Sequence, residues 1–365
     1  MGNSKRSTYN FEKETAKAST IPSDWYFSNE AHQHDLDFLF KASWSLVGHV
    51  SDLKNPGDYI TAVVANENIV VVRQNDTRIR GFSNVCRHRA GPVAIGSGNA
   101  SVLKCQYHGW SYSLTGELMA TPEFQGVENF ERQNCKLPEV QVTQWGPFVF
   151  ASTNPKMQFE EFIGTVSENL AAYNIERMVA FEKKDYVVGC NWKVYVDNYL
   201  EGYHLLSVHK ELFNELDYSK YETILSAWYS LQKAPAREKA SFYKATENFG
   251  EDSGQIPGEA VYYWLFPNLM LNIYQGLLQT NVVIPTGPKS CVVRFEWFTL
   301  PENLYKSQIQ IQELIGFSDI IQEEDRGICE AVQKNLESST YLQGRYSPKR
   351  ETGVHHFHGL LSKFD

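Results

Sequence analysis

The sequence lacks the features that would assign it to several common classes of protein. No stretch of its 365 residues approaches the run of roughly 20 apolar residues that a membrane-spanning helix needs. No block of Lys and Arg indicates a nucleic-acid surface, and the net charge is −9. The N-terminal residues are polar and have no apolar core of a secretory signal. We therefore expect a soluble, cytoplasmic protein with neither nucleic acid nor a membrane as a partner.

Cysteine and nucleotide-binding glycine motifs are also scarce. The six cysteines do not form the framework of a disulfide-rich secreted protein, which indicates a reducing compartment. The segment closest to a dinucleotide loop, Gly96-Ser-Gly98, lacks the final glycine of that motif. A nicotinamide site is therefore not expected here, although the chain is long enough for two domains.

Two short groups of metal-ligating residues are present instead. Cys86-Arg-His88 and Cys105-Gln-Tyr-His108 each combine one thiol with one imidazole. Zinc sites of the same composition usually pair Cys with Cys and His with His. A Rieske [2Fe–2S] cluster needs two Cys on one iron and two His on the other. The mixed pairs therefore favour the [2Fe–2S] cluster over zinc.

The residues around both groups are typical of short strands and tight turns. From Trp44 to about Thr153, β-rich runs alternate with turn signals such as Asn55-Pro-Gly-Asp58. This pattern predicts a compact antiparallel β domain without crossover helices, with both groups in its loops. Gly91 and Gly109 would allow the loop backbone to approach a cluster closely.

The second half of the chain mixes helical and strand patterns. Residues 164–178 and 304–338 have helical periodicity, whereas the aromatic-rich runs within 260–300 are typical of strands. An α+β domain with a long late helix packed on a sheet is expected. Residues 1–20 are predicted to be a disordered lead-in, and Ser28 is predicted to begin a short capped helix.

A second candidate metal site lies shortly before residue 210. His204 and His209 are five residues apart, about 140° of rotation on an ideal helix, so the helix must be loosely wound or broken there. Gly202 would supply the slack. Two imidazoles and a carboxylate form the facial triad of mononuclear Fe(II) oxygenases. Glu201 lies one turn before His204 and could accept a hydrogen bond from its ring.

The carboxylate of such a triad must come from another part of the chain. An acidic segment of the late helix is the best source, and Asp325 is our first choice. Asp319, Glu323 and Glu324 remain alternatives, because acidic groups of this kind are usually a solvated helix face.

These motifs together resemble the α subunits of the Rieske non-haem iron oxygenases, the aromatic-ring-hydroxylating oxygenase family. The resemblance runs from Trp44 to the C-terminus and is strongest in the branch that contains choline monooxygenase, glycine betaine demethylase and carnitine monooxygenase. The matching text is Cys86-x-His-Arg, Cys105-x-Tyr-His-Gly-Trp, Asp197-Asn-Tyr-Leu-Glu-Gly-Tyr-His204, Gln322-x-Glu-Asp-x-x-Ile-Cys-Glu330 and Glu351-Thr-Gly-Val-His-His-Phe-His358.

The resemblance implies a domain organisation and an assembly. Residues 43–155 would form the Rieske [2Fe–2S] domain, and residues 156–365 a helix-grip (START-like) catalytic domain with a mononuclear iron. Residues 1–42 would be a lead-in that packs on the catalytic domain. The protein would be a homotrimer in which electrons pass from His108 of one subunit through Glu201 to His204 of the next.

The resemblance also implies roles for single residues. Cys86, His88, Cys105 and His108 would hold the cluster. His204, His209 and Asp325 would hold the iron. Glu201 would bridge the two centres, with Asp197 and Asn198 as further catalytic candidates.

The implied activity is hydroxylation or N-demethylation of a small cationic quaternary ammonium compound with O2. Electrons would come from NAD(P)H through a partner flavin/ferredoxin-type reductase that carries the nicotinamide and flavin. An aromatic-ring dioxygenase α subunit and a Rieske electron carrier without oxygenase activity are the alternatives. Aromatic residues of the second half could form a cage for the cation by cation–π contact. The candidates are Tyr203, Trp228, Tyr262, Tyr263, Trp264, Phe266, Tyr274 and Trp297.

Overall fold

The computed structural model of the protein describes residues 6–238, 240, 259–274, 276–305 and 308–365. The chain forms two compact units. One consists of Leu36–Phe159, which we call the cluster unit. The other, which we call the catalytic unit, combines Met1–Asp35 with Glu160–Asp365. None of the helices in the described ranges is long and apolar enough to cross a membrane.

The cluster unit is an antiparallel β structure without crossover helices, as the spacing of its strands predicts. Its described strands form one seven-stranded sheet, in the order β1-β10-β9-β4-β3-β2-β5, and one small sheet, β6-β7-β8. The strands are β1 (Ser45–His49), β2 (Asp58–Val64), β3 (Glu67–Arg73), β4 (Ile79–Ser83), β5 (Ser97–Asn99), β6 (Leu103–Lys104), β7 (Ser111–Tyr112), β8 (Leu118–Ala120), β9 (Glu139–Trp145) and β10 (Phe148–Ser152).

Strand β3 explains how this unit supports its loops. Its apolar run from Ile69 to Val72 is fully buried. Alternate side chains of a strand point to opposite faces, and here both faces are covered by a core. Val70 and Val72 pack into a core that also contains Cys86 and Cys105. Ile69 and Val71 pack into a second core on the other face. The two predicted cluster loops are therefore anchored on a rigid sheet.

The catalytic unit is built on a second antiparallel sheet. Its order over the described strands is β11-β17-β16-β15-β14-β13-β12, so sequence neighbours are also spatial neighbours from β12 to β17. The strands are β11 (Val179–Val188), β12 (Glu222–Leu225), β13 (Tyr229–Pro235), β14 (Glu259–Leu265), β15 (Leu269–Tyr274), β16 (Leu277–Gly287) and β17 (Ser290–Thr299).

The helices include the two that the sequence marks most clearly. Ser28 caps the first helix, since its hydroxyl accepts a hydrogen bond from the Ala31 N–H at 3.1 Å. The long late helix is present and contacts both α4 and β11. The described helices are α1 (Asn29–His34), α2 (Phe159–Ile163), α3 (Val166–Leu170), α4 (Trp192–Tyr199), α5 (Lys210–Glu215), α6 (Gln308–Leu336) and α7 (Thr352–Leu361).

A single helix over 164–178 was the wrong prediction. Helix α3 ends at Leu170 and is followed by two short 3-10 turns on either side of Asn174. Asn174 has a φ of 51°, a left-handed conformation that Asn tolerates better than most residues and that stops an α-helix.

The expectation of a disordered N-terminus is wrong for residues 6–20, while residues 1–5 lie outside the described ranges. Tyr9 and Ala18 are buried, and the Thr20 N–H donates to the carbonyl of Gly344 at 3.1 Å. The polar composition of this segment gives no sign that it pairs with residues near the C-terminus.

The boundary between the units also differs from the expected division at residue 42. Residues 36–42 belong to the cluster unit, where the carbonyl of Lys41 accepts hydrogen bonds from Asn154 N–H at 2.9 Å and the Ser152 hydroxyl at 3.1 Å. The rest of the N-terminal segment belongs to the catalytic unit. Asp35 there accepts hydrogen bonds from the Trp192 indole at 2.9 Å and from the fully buried Lys193 ammonium, and so fixes the start of α4.

Candidate metal centres

The two loops of the cluster unit have the same backbone hydrogen bonds. The N–H of Cys86 donates to Gly91 O at 2.8 Å, and the N–H of Cys105 donates to Trp110 O at 2.9 Å. Ala90 and Gly109, each four residues after its cysteine, return a bond to the cysteine carbonyl and have positive φ, 56° and 75°. Gly109 adopts this conformation without the steric cost that Ala90 bears at the equivalent position of the other loop.

The two loops bring their like residues together. Cys86 and Cys105 are buried, and their thiols interact with each other. The rings of His88 and His108 have their centroids 4.7 Å apart, and His88 stacks on Trp110 at 4.8 Å. A thiol end and an imidazole end are what a Rieske cluster requires.

Two further observations fit this donor set. His88 Nδ1 is buried and has no hydrogen-bond partner among the described residues, as expected of an atom that binds a metal. A Cβ on Gly91 would lie 2.9 Å from Cys105 Sγ, so only glycine leaves room beside that sulfur. Burial raises the pKa of the Cys105 thiol, and a bound cation would be needed to remove its proton. The residues present therefore fit a [2Fe–2S] cluster.

In the catalytic unit, the segment after α4 breaks as the spacing of its histidines predicts. His204 begins a 3-10 turn that ends at Leu206, and His209 immediately precedes α5. The two rings consequently lie close together in an edge-to-face arrangement, with centroids 5.0 Å apart. Gly202 acts differently from the prediction: its φ is not positive, and a Cβ there would come within 2.7 Å of the Tyr221 ring. Close packing, rather than backbone slack, requires this glycine.

Helix α6 supplies a carboxylate to the two histidines. The Asp325 Oδ1 lies 2.9 Å from His209 Nε2 and 3.9 Å from His204 Nε2. One potential ligand atom from each of these three residues lies within 4.8 Å of the others. Two imidazoles and one carboxylate in this arrangement fit a mononuclear Fe(II).

The other three acidic candidates on α6 have different partners. Glu324 Oε2 lies 2.7 Å from His209 Nδ1, on the ring edge that faces away from Asp325. Asp319 accepts hydrogen bonds from Lys184 and Tyr186, and Glu323 pairs with an exposed arginine of the same helix. Of the four acidic residues, the structure brings only Asp325 to both histidines.

Carboxylates hold both ligand rings in place. Glu201 Oε1 lies 2.7 Å from His204 Nδ1, and its other oxygen accepts the His204 N–H at 3.1 Å. Burial lowers the pKa of His209, but the hydrogen bonds and charges of Asp325 and Glu324 outweigh it and raise that pKa overall. Such carboxylate–histidine pairs fix the tautomer and orientation of metal-binding rings.

Asp197 and Asn198 point to different partners although they are adjacent. Asn198 Nδ2 donates to Asp325 Oδ1 at 2.6 Å and so helps to orient that carboxylate. Asp197 accepts a bond from Tyr26 at 2.6 Å and lies 3.0 Å from Nε2 of the buried His358. Asp197 therefore belongs to a buried network at the base of α4 and α7, which the sequence did not indicate.

His204, His209 and Asp325 line a cavity of about 110 Å³. Tyr262 and Tyr274 line it, whereas the other six residues of the predicted aromatic cage are not among its lining residues. Of those six, Tyr263, Trp264, Phe266 and Trp297 are buried, and Tyr203 is exposed. Five buried amides that no sequence pattern marks as site residues also line the cavity: Gln232, Asn272, Gln279, Asn281 and Gln322.

A second unexpected cluster consists of Cys190, Cys291 and Cys329. These residues are dispersed in the sequence but buried, and the Cys190 thiol hydrogen-bonds with the other two. All three are free thiols, consistent with the absence of a disulfide framework.

A β domain with two mixed Cys/His loops, next in sequence to a domain with two His and one Asp around a cavity, defines a Rieske-type iron oxygenase. Family profiles agree: residues 43–131 match "Rieske [2Fe-2S] domain" and residues 175–363 match "Ring hydroxylating alpha subunit (catalytic domain)". The chain belongs to the family of Rieske ring-hydroxylating oxygenase α subunits, and it is an oxidoreductase.

Several of the similar proteins are monooxygenases named for choline, carnitine or quaternary ammonium compounds. Choline monooxygenase of Arabidopsis thaliana is 36% identical, over 94% of this chain and 82% of that protein. The carnitine monooxygenase oxygenase subunit of Escherichia coli K12 is 30% identical, over 97% and 96%. A crystal structure of a quaternary ammonium Rieske monooxygenase with L-carnitine has a TM-score of 0.83 at 27% identity, covering 98% of this chain and 99% of that one.

Proposed function

We propose that this chain is the oxygenase component of a monooxygenase that hydroxylates a small quaternary ammonium compound such as choline, glycine betaine or carnitine. The observation that carries the proposal is the group of His204, His209 and Asp325 at a cavity that Tyr262 and Tyr274 also line. Aromatic faces attract quaternary ammonium groups. The relatives named for choline and carnitine support this substrate class.

The proposed electron path begins on another protein. A flavin/ferredoxin-type reductase would take electrons from NAD(P)H and pass them to a [2Fe–2S] cluster on this chain. Cys86 and Cys105 would hold one iron of the cluster, and His88 and His108 the other. The buried His88 Nδ1, which has no hydrogen-bond partner among the described residues, would be one of the ligand atoms.

A mononuclear Fe(II) held by His204, His209 and Asp325 would supply the oxygen activation. In the net reaction, one C–H bond of the substrate becomes C–OH, and O2 with two electrons and two protons also yields one water. Hydroxylation of an N-methyl carbon leads to loss of formaldehyde, and hydroxylation of an alcohol carbon leads to an aldehyde. Glu201 would orient the His204 ring, and Asn198 would orient the Asp325 carboxylate.

We further propose a homotrimer in which the cluster of one subunit serves the iron of the next, from His108 through Glu201 to His204. Inter-subunit electron transfer is described for one similar solved structure, a quaternary ammonium Rieske monooxygenase, and supports this arrangement. In this assignment residues 43–155 form the Rieske domain, residues 156–365 form the catalytic domain, and Asp197 is a further catalytic candidate beside Glu201.

Turnover with a Rieske reductase and NADH tests the proposal. The assay compares quaternary ammonium compounds with aromatic hydrocarbons and measures O2 uptake, NADH oxidation and products. We expect products from the quaternary ammonium compounds alone, coupled to NADH oxidation. Dihydrodiols from the hydrocarbons, or NADH oxidation with no quaternary ammonium product, would contradict the proposal.

Metal analysis should give about three irons and two sulfides per chain, and two irons with two sulfides would indicate an electron carrier.

A further inference from the structure

One wall of the catalytic cavity is a row of buried amides. Strand pairing places Gln232 of β13 opposite Tyr262, Tyr262 opposite Asn272, and Asn272 opposite Gln279 of β16. Paired residues point to the same face of a sheet, and so does Asn281, two residues after Gln279. All four amides are at most 8% exposed. Burying an amide is unfavourable unless its hydrogen bonds are made, so this row needs an explanation.

Hydrogen bonds hold these amides in fixed orientations. Gln232 accepts from the Tyr221 hydroxyl at 2.9 Å, and Asn272 accepts from the Tyr199 hydroxyl at 2.7 Å. Gln279 donates to Asn281 Oδ1 at 2.7 Å. The wall is therefore a rigid surface of neutral dipoles that meets a ligand without rearrangement.

The charged side chains of this cavity are carboxylates, and their two negative charges would balance those of the proposed Fe(II). The described lining residues of the cavity include the carboxylates Glu201 and Asp325 but no Lys or Arg. Burial raises the pKa values of the phenols of Tyr199, Tyr221 and Tyr274, so these groups stay neutral. Among the described lining residues, a carboxylate on a bound molecule would find hydrogen-bond donors but no cationic side chain. Burying an ion without a partner of opposite charge is strongly unfavourable.

Gln322 provides a free neutral donor beside the proposed iron site. It lies one helical turn before Asp325 on α6, lines the cavity and is buried. Its Oε1 accepts a hydrogen bond from Tyr195, while its Nε2 has no partner in the described part of the chain. Leaving a buried amide N–H unpaired is unfavourable, and a ligand oxygen that accepts from it would remove this cost.

We infer that this cavity selects a quaternary ammonium compound that carries a hydroxyl group and no carboxylate, with Gln322 donating a hydrogen bond to the hydroxyl oxygen. The inference rests on the proposed function and narrows its substrate class to amino-alcohol cations such as choline. Tyr262 and Tyr274 offer aromatic faces to the cation, and the amides surround the neutral remainder of the molecule. Zwitterions such as glycine betaine and carnitine are disfavoured because no described lining residue is a Lys or Arg that could pair with their carboxylate, and because Glu201 and Asp325 would already balance the proposed Fe(II).

A panel of three compounds separates the charge effect from the proposed function. Choline has a hydroxyl, glycine betaine a carboxylate, and carnitine both. We expect choline to exceed the two zwitterions by about 100-fold or more in kcat/KM, and in affinity by calorimetric titration of the iron-loaded protein. Equal or stronger use of either zwitterion would overturn the inference and leave the proposed function intact. Failure of all three compounds would contradict the proposed function itself.

A matched pair of variants tests the missing cation directly. Gln279→Lys adds a positive charge to the amide wall, and Gln279→Met removes the amide at similar size without adding a charge. We expect Gln279→Lys to lower the choline-to-carnitine affinity ratio at least about 10-fold, and Gln279→Met to leave that ratio nearly unchanged. The same change in both variants would overturn the charge argument. Should Gln279→Lys not fold, the three-compound panel on the unmodified protein still decides the inference.

The role of Gln322 is tested with ligands that differ by one hydroxyl. Ethyltrimethylammonium is choline without its oxygen, and it leaves the Gln322 N–H unpaired. The unmodified protein should bind choline about 10-fold or more tightly than this analogue. Gln322→Met should remove most of that preference while the cluster absorbance and iron content stay unchanged. An undiminished preference for choline in Gln322→Met would refute the hydrogen bond.

Discussion

The two metal-binding regions of this chain are built in opposite ways. In the cluster unit, Cys86–His88 and Cys105–His108 lie on two loops that are close in sequence. Each loop is closed by its own backbone hydrogen bonds, in the same pattern. In the catalytic unit, His204 and His209 follow α4, but Asp325 lies on α6, 116 residues after His209. The first site is therefore formed by local turns, and the second by the packing of distant segments.

This difference determines what a sequence can reveal about each site. A local turn leaves its signature in residue spacing, since Cys, His and Gly must recur at fixed positions. A site formed by the packing of distant segments shows only some of its residues in any one segment, and the spacing within that segment does not indicate where the others lie. The same difference predicts that damage to one site leaves the other intact. Two sets of variants test this prediction directly, and two further sets with smaller expected effects test the surroundings of His204.

Loss of a cluster cysteine should abolish turnover. Cys86→Ala and Cys105→Ala each remove a thiolate that alanine cannot replace, so the cluster should be lost. Sulfide analysis, visible absorbance and the EPR signal of the reduced cluster measure this loss. The mononuclear site should still bind about one iron. Cys135→Ala is the control, because Cys135 lies in the same unit outside both loops. A normal cluster in Cys86→Ala would remove that residue from the ligand set.

Asp325→Ala should empty the mononuclear site but spare the cluster. Iron content should fall from about three to about two per chain with sulfide unchanged, and turnover should fall to background. Glu323→Ala is the matched control on the same helix, since Glu323 is exposed and pairs with Arg326. Full iron content in Asp325→Ala, or loss of iron in Glu323→Ala, would contradict the assignment of the carboxylate.

Most strands and the long helix α6 were predicted correctly from the sequence. The structure also brings together the two Cys/His loops and the two histidines that the sequence singled out. Each of these features depends on a local pattern. The sequence left four acidic residues open as the third ligand, since the rotation of α6 about its axis depends on its packing against α4. It gave no sign that Cys190, Cys291 and Cys329 meet. Nor could it show the amide row, because that row depends on the strand register.

Glu201→Ala should slow turnover by about 10–100-fold, the usual effect of removing a carboxylate that orients a metal-binding histidine. The cluster should still be reduced by the reductase, whereas its reoxidation in the presence of substrate and O2 should slow. Stopped-flow absorbance follows both steps. Glu222→Ala is the control, because Glu222 forms only an exposed pair with Lys233 on the same sheet. Unchanged reoxidation in Glu201→Ala would remove the bridging role and leave Glu201 a structural residue.

The smallest predicted effects separate packing from backbone freedom around His204. Gly202→Ala should destabilise the protein by about 1–3 kcal/mol, because the added Cβ would lie within 2.7 Å of the Tyr221 ring. Gly327→Ala on α6 should instead stabilise the protein by up to about 1 kcal/mol, because alanine favours a helix. Apart from the nearby backbone of α6 itself, no described atom lies within 4 Å of the added Cβ. Denaturant unfolding followed by fluorescence measures both. An unchanged free energy of unfolding in Gly202→Ala would show that Tyr221 can move to accommodate the added Cβ. Close packing would then not be the reason for glycine at position 202.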